Sequence, residues 1–424
     1  MSTYTAKQPA LAVLLNVRLG FALLALLALF VGRFWWFGET TSWAGFIRIC
    51  LFLGMLLAIA QWRQLIPFLS GNIYAWLLLG LLAYLALNSL VLGDGKTARR
   101  VLLLLAFFIA IPLVVSNGRR FLKPLLGLMV ICSALVAVVT FATLYEQGLL
   151  RFQYRVFNIK ASGIAGFADF ENSVLAGLEL AFSAVIMIWL LLQARGWPAR
   201  IFWLATGLLI GLYVFMTYSR TGWLALSSSV LVMLVCLPDR RARWRLCGAV
   251  SILALAVVAV FHERIVFELV ERKLSHRDEI WRMAIDLMPG HWLFGYGADT
   301  NFARVVGLRP LGGSAPMLIA HPHSIYLEVL FNYGLFGLIG FLSVFLAACR
   351  RFYVYRHDPF ALLWLAVLAG AMVAMIFDFS SVVTTPNLLW LWMWLPLGWA
   401  LALAPDPGRP AAMINTDFAD RSVR

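Results

Sequence analysis

The stretch IYAWLLLGLLAYLALNSLVL, residues 73–92, decides the fold. It contains no charged residue. As a helix rising 1.5 Å per residue it covers about 30 Å, the thickness of a bilayer's hydrocarbon layer. No water is available there for the backbone N–H and C=O groups. The segment must therefore close its hydrogen bonds within itself, as an α-helix does. Strand-like alternation over about ten residues, the mark of an outer-membrane barrel, is absent here and elsewhere in the chain.

Working outward, the same reading recurs at 10–32, 44–60, 99–116, 123–145, 174–193, 199–217, 221–237, 244–261, 324–348, 360–379 and 387–404. Together these make about twelve spans and put both termini on one side. Of 424 residues, 62% are apolar and 13% charged, against about 25% charged in a water-soluble domain. The chain reads as an all-α polytopic membrane protein with a single transmembrane domain over residues 1–404. The first block is too long for a signal-peptide core and lacks a cleavage site, so it reads as a retained span. Residues 405–424 are expected to form a disordered cytoplasmic tail.

The net charge of +14 does not point to nucleic acid. Arg63, Arg119, Arg120, Arg195, Arg200, the Arg240–Arg245 cluster and Arg350, Arg351 and Arg356 all fall in alternate short loops. That is the positive-inside distribution, and it places the termini in the cytoplasm. Lys96, Arg99 and Arg100 run against it. The five cysteines are odd in number and isolated, which excludes a complete disulfide framework and offers no metal-type spacing. Chain-wide repeats of the kind transporters carry are not apparent.

The segment 262–323, between the ninth and tenth spans, is too long for a simple connection. Within it the spacing predicts a helix over Arg277–Met288, with an apolar stripe of Ile280, Ala284 and Leu287. Pro289-Gly290 should end that helix, and a Gly295-Tyr296-Gly297 turn follows. The whole segment reads as a lid on the bundle.

Arg220, in Thr217-Tyr218-Ser219-Arg220-Thr221-Gly222, lies within a few residues of two spans. It either snorkels or meets an anion. Asp278 and Glu279 suit a helix N-terminus but leave Arg277 and Arg282 unexplained. His321-Pro322-His323-Ser324 puts two imidazoles at the mouth of the tenth span, just before Glu328 and Asn332. Imidazole exchanges protons near neutrality. Zinc is the competing use, but no further ligand stands at a recognisable spacing, so no metal is expected. Gly334, Gly337 and Gly340 read as a close helix-packing stripe. Arg151 and Arg155 lie in a second long outer loop. With Arg220 and Arg277 they offer guanidinium forks suited to phosphate oxygens. Asp378, at the end of the eleventh span, either holds one of these groups or simply caps its helix.

The order of these elements resembles the O-antigen ligase superfamily. They are Ser219-Arg220 opening a span, Arg277 with Ile280-Trp281, Gly295-Tyr296-Gly297, His323-Ser324-x-x-Leu327 and Gly334-x-x-Gly337. That superfamily includes lipopolysaccharide O-antigen ligases, O-antigen polymerases and bacterial O-oligosaccharyltransferases. The resemblance implies a GT-C-like, inverting, metal-independent glycosyltransferase without cofactor, in the Gram-negative inner membrane, with its site and large loop on the periplasmic side. Its donor would be an undecaprenyl-pyrophosphate-linked glycan and its acceptor a sugar of lipid A–core. It maps two essential arginines to Arg220 and Arg277, and the essential histidine to His323 or His321. His323 is favoured because it aligns with the downstream Leu and Gly positions. Ser324 stands where the family often has Asn. Arg151, Arg155, Arg282 and Asp378 are candidates for substrate binding. An O-antigen polymerase is the first alternative. A protein O-oligosaccharyltransferase would be expected to carry more soluble sequence after the core, and an anionic-solute transporter would need more charge in mid-span.

Overall fold

The computed structural model describes residues 7–36, 40–59, 72–148, 170, 172–271, 274–311 and 315–403. The described chain is almost entirely helical. The first helix, α1, runs over Lys7–Leu27 and continues through a π turn at Ala28–Gly32 into Arg33–Trp35. It is followed by α2 (Thr40–Ile59), α3 (Ile73–Val91), α4 (Lys96–Asn117), α5 (Arg119–Glu146), α6 (Ser173–Leu192) and α7 (Trp197–Met216). Next come α8 (Arg220–Cys236), α9 (Arg240–Val266) and the short α10 (Arg277–Asp286) and α11 (Phe302–Val306). The last are α12 (Ile325–Val354), α13 (Pro359–Phe377) and α14, a π turn at Trp390–Trp394 running into Leu395–Ala402. A two-residue hairpin, β1 (Leu308–Arg309) with β2 (Met317–Leu318), decorates the long loop.

Ten of these helices are long and apolar enough to cross a membrane. The 17-residue α8 and α14 occupy the remaining two expected spans, so all twelve expected segments are helices. Contacts between distant loops sort into two ends. At one, Arg119 pairs with Asp358, and Arg351 reaches Asn72 and the end of α14. At the other, residues 88–97 meet 294–299, and Arg277 meets Phe377. This is the up-and-down threading that the alternating loops predict.

The core runs through α6, α13 and α14. In the apolar windows of α6 and α13, 78% and 72% of residues are buried, whereas α9 has none. Trp364, Trp390, Trp392 and Trp394 are fully enclosed, and Trp392 and Trp394 donate to the Leu178 and Val382 carbonyls. A buried indole N–H usually finds such a partner, though that of Trp364 has none among the described residues.

In the glycine stripe of α12, Gly337 and Gly340 face Tyr84 and Leu81 of α3, as a packing stripe should, but Gly334 does something else. Gly334 has φ +65 and ψ −166, which breaks the helix. Backbone from the long loop enters the break. Tyr296 and Gly297 N–H donate to the Phe331 and Asn332 carbonyls, while Leu335 and Phe336 N–H donate to Trp292 and Leu293. Tyr84 takes the Tyr333 carbonyl. The groups freed by the break are thus satisfied, as an apolar setting demands. A Cβ on Gly334 would stand 2.3 Å from the Leu293 carbonyl, and one on Gly295 would stand 2.4 Å from Asn332 backbone. These glycines admit a loop rather than a helix. Gly340 meets only the Leu81 side chain, at ordinary contact distance.

The same loop is tied to the α3–α4 turn. Asp299 accepts from Ser89, from the Thr97 hydroxyl and from the Thr97 N–H, and Asn88 bridges Phe294 and Ala298. The lid expected over 262–323 is therefore fastened across 291–299.

Candidate functional site

The site forms where α8, α10, α12 and α13 reach the same end of the bundle. Arg220 opens α8 behind Ser219, whose hydroxyl caps the helix by accepting from Gly222 N–H. Arg277 opens α10, which is anchored by its predicted stripe. Ile280, Ala284 and Met288 are buried against Phe302, Val306, Leu330 and Phe331. The helix itself stops at Asp286, slightly short of the expected end.

Arg277 Nε donates to the Phe377 carbonyl at 2.9 Å, and Trp281 lies beside the Phe377 ring. That contact fixes the guanidinium at the α13 terminus, next to Asp378. The Asp378 carboxylate caps its own turn by accepting from Phe379 N–H, and its charge also reaches His321.

His321 and His323 face each other with ring centroids 4.0 Å apart. His323 N–H donates to His321 Nδ1 at 3.2 Å, which leaves Nε2 of a neutral His321 ring to carry the proton. Burial lowers the His321 pKa, partly offset by Asp378, with Arg277 adding to the lowering. Burial, His321 and Arg277 push the His323 pKa down to about 4. His323 is thus a neutral, proton-accepting imidazole throughout the neutral range.

Arg220 forms a second group beside this one. Its Nη1 donates to the Glu268 carbonyl at 3.1 Å and its Nη2 to Ser275 Oγ at 2.9 Å. Its Nε lies 3.9 Å from the Glu268 carboxylate. Ser275 is only two residues before Arg277, so one short segment joins the two groups.

Backbone strain marks the same place. Among the described residues, the non-glycine positions with positive φ are Tyr218, Ser275, His276, Asp299, His323 and Phe379. Five of them adjoin Arg220, Arg277, His321 or Asp378, and Asp299 is the loop clamp. Such conformations cost of order 1–3 kcal/mol each and persist where surrounding structure over-determines them, commonly at functional sites.

The structure thus brings Arg277, His321, His323 and Asp378 together, with Arg220 alongside. Arg282 lies on the exposed face of α10 and does not join them. Five residues along a helix turn its side chain well away from that of Arg277. Arg151 and Arg155 lie outside the described residues. Among the described residues, no group of three or more His, Cys, Asp or Glu could hold a metal ion.

Sequence reasoning missed Glu268, Ser275 and Arg264. Arg264 lies over the Tyr218 ring at 5.5 Å. The signal was an acid four residues after a base in a segment adjoining a span. It also missed Glu179, which is 1% exposed within α6 and lies in the field of Arg33.

The fold and site define an integral membrane protein that gathers arginines and histidines at one mouth of a helical bundle. The O-antigen ligase family pattern matches residues 204–342, a span that holds Arg220, Glu268, Arg277, His321 and His323. The chain is also 27% identical over 379 residues to an O-antigen ligase of Pseudomonas aeruginosa strain PAO1, covering 86% of each chain. Over that region the chain is similar to the O-antigen ligase family.

Proposed function

We propose that the protein is an O-antigen ligase, an inverting glycosyltransferase of the GT-C type. It moves O-antigen polysaccharide from undecaprenyl pyrophosphate to a sugar hydroxyl of lipid A–core at the periplasmic face of the inner membrane. The observation that carries this reading is the convergence of Arg277 with the His321–His323 pair beside Arg220, inside the region that matches the family.

Charge and proton balance follow from those groups. The acceptor hydroxyl attacks the anomeric carbon opposite the pyrophosphate, so the new C–O bond inverts the configuration. The breaking bond's electrons pass to the departing pyrophosphate, where Arg220 and Arg277 meet the growing negative charge. His323 takes the hydroxyl proton, a contribution of roughly 10²–10⁴-fold. His321 accepts from the His323 backbone and holds the ring pair in register. The polyprenyl tail stays in the bilayer while its headgroup reaches the arginines. The basic alternate loops support cytoplasmic termini.

The test combines the purified protein in nanodiscs, a polyprenyl-pyrophosphate glycan and lipid A–core, without added nucleotide or metal. Extended lipopolysaccharide is expected, and it should be lost in His323→Ala. Lengthened lipid-linked glycan alone would make the protein a polymerase. No transfer at all would sink the enzyme reading.

A further inference from the structure

We propose that Glu268 is a positioning residue that acts through Arg220. It yields the guanidinium to an incoming pyrophosphate and takes it back as the polyprenyl pyrophosphate product leaves. The proposal rests on the ligase reading of the site.

Three observations carry it. First, the contacts of Arg220 with Glu268 and Ser275 come from one short segment following α9, through a backbone carbonyl, a carboxylate and a hydroxyl. All three are acceptors, the same chemistry that phosphate oxygens offer. Second, the Glu268 side chain is 0% exposed, while that of Arg220 is 18% exposed. The carboxylate is thus enclosed behind a guanidinium that keeps some exposure. At 3.9 Å the Nε–carboxylate pair is longer than a hydrogen bond, so a pyrophosphate able to bond Arg220 directly outcompetes it. Third, Glu268 is not stranded by the exchange. Arg264, four residues earlier, lies over Tyr218, and Tyr218 is in the field of both Arg264 and Glu268. A buried carboxylate that lost every positive neighbour would be far costlier.

The device answers a problem the reaction creates. The product keeps its pyrophosphate, and with it the affinity for both arginines. Product release commonly limits turnover. A carboxylate poised on Arg220 competes with the leaving product. Ser275 and His276 hold φ values of +52 and +61, so the segment that makes the exchange is strained and leads directly into Arg277.

The experiment uses the full chain in nanodiscs with undecaprenyl pyrophosphate as the probe, free of glycan, followed by equilibrium binding. Glu268→Gln removes the competing charge, and the expected result is binding about 5–10-fold tighter. In the transfer assay the donor KM and kcat should fall together, as expected for slowed release. Glu268→Asp, which keeps the charge, should recover most of the shift. Should Glu268→Gln fail to accumulate, Ser275→Ala removes another acceptor from Arg220 and is expected to tighten binding in the same direction. Unchanged or weaker pyrophosphate binding in whichever of these variants is measured overturns the proposal, as does Glu268→Asp behaving like Glu268→Gln. The binding arm needs no turnover. Tighter binding without wild-type transfer keeps the exchange and sinks the ligase reading; normal transfer without tighter binding does the reverse.

Discussion

The two halves of the long loop before α12 are held in opposite ways. The second half, 291–299, is fastened by backbone hydrogen bonds into the break at Gly334 and by Asp299 and Asn88 to the α3–α4 turn. In the first half, Glu268, Ser275 and Arg277 meet the bundle through side-chain contacts of two arginines, and Ser275 and His276 are strained. Backbone pairing in an apolar setting is costly to open, because each freed group loses its partner where water cannot replace it. A guanidinium contact can be exchanged for another anion. One half is therefore scaffold, and on the proposed function the other is machinery.

That division can be broken by experiment, and substitutions in the machinery should show the largest effects. Arg277→Ala is expected to lower transfer by about 10²–10³-fold, since it removes a preorganised positive group, with little change in thermal unfolding. A parallel collapse of the melting transition would show that Arg277 is structural. Next, Gly334→Ala places a Cβ against the Leu293 carbonyl at a φ of +65. A destabilisation of about 3 kcal/mol or more is expected, read as lost folded protein rather than slower turnover. Asp299→Ala orphans Ser89 and the Thr97 groups and should cost about 2–4 kcal/mol. Transfer per folded molecule should stay near the wild-type level, and a selective loss of turnover would move this clamp into the machinery.

The pH profile sharpens the comparison within the machinery itself. As the proposed base, His323 works only when unprotonated, and its pKa is held at about 4. Activity should therefore persist as pH falls through the ordinary imidazole range near 6.5 and be lost only near 4. An acid limb at 6–7 would assign the proton transfer to another group. The smallest effect is expected for Arg282→Ala on the exposed face of α10. Transfer and melting should match the wild type, and a marked loss of donor affinity would restore this residue to the site.

Much of the fold was legible because hydrocarbon imposes so strict a rule. An uncharged run like 73–92 has one stable solution, and each expected span is found as a helix. The stripe of α10 was legible for a similar reason, since Ile280 and Ala284 repeat at helical spacing and bury one face. The candidate site was legible in part. Arg220, Arg277 and the two histidines stood out because charge and imidazole beside a membrane need a reason. Gly334 was misread, because glycines three apart look the same whether a helix or a loop approaches them. Glu268 passed unnoticed, because an acid in a polar connection ordinarily looks solvated.

The sequence by itself determined the membrane-length helices and singled out the side chains of the candidate site. Those follow from transfer free energies and local spacing, which are properties of short segments. Only the tertiary structure decided that α12 breaks to admit the loop, that Asp378 stands by His321, and that Glu268 holds Arg220. Each of these joins residues tens of positions apart, and only the packed bundle brings them to one place.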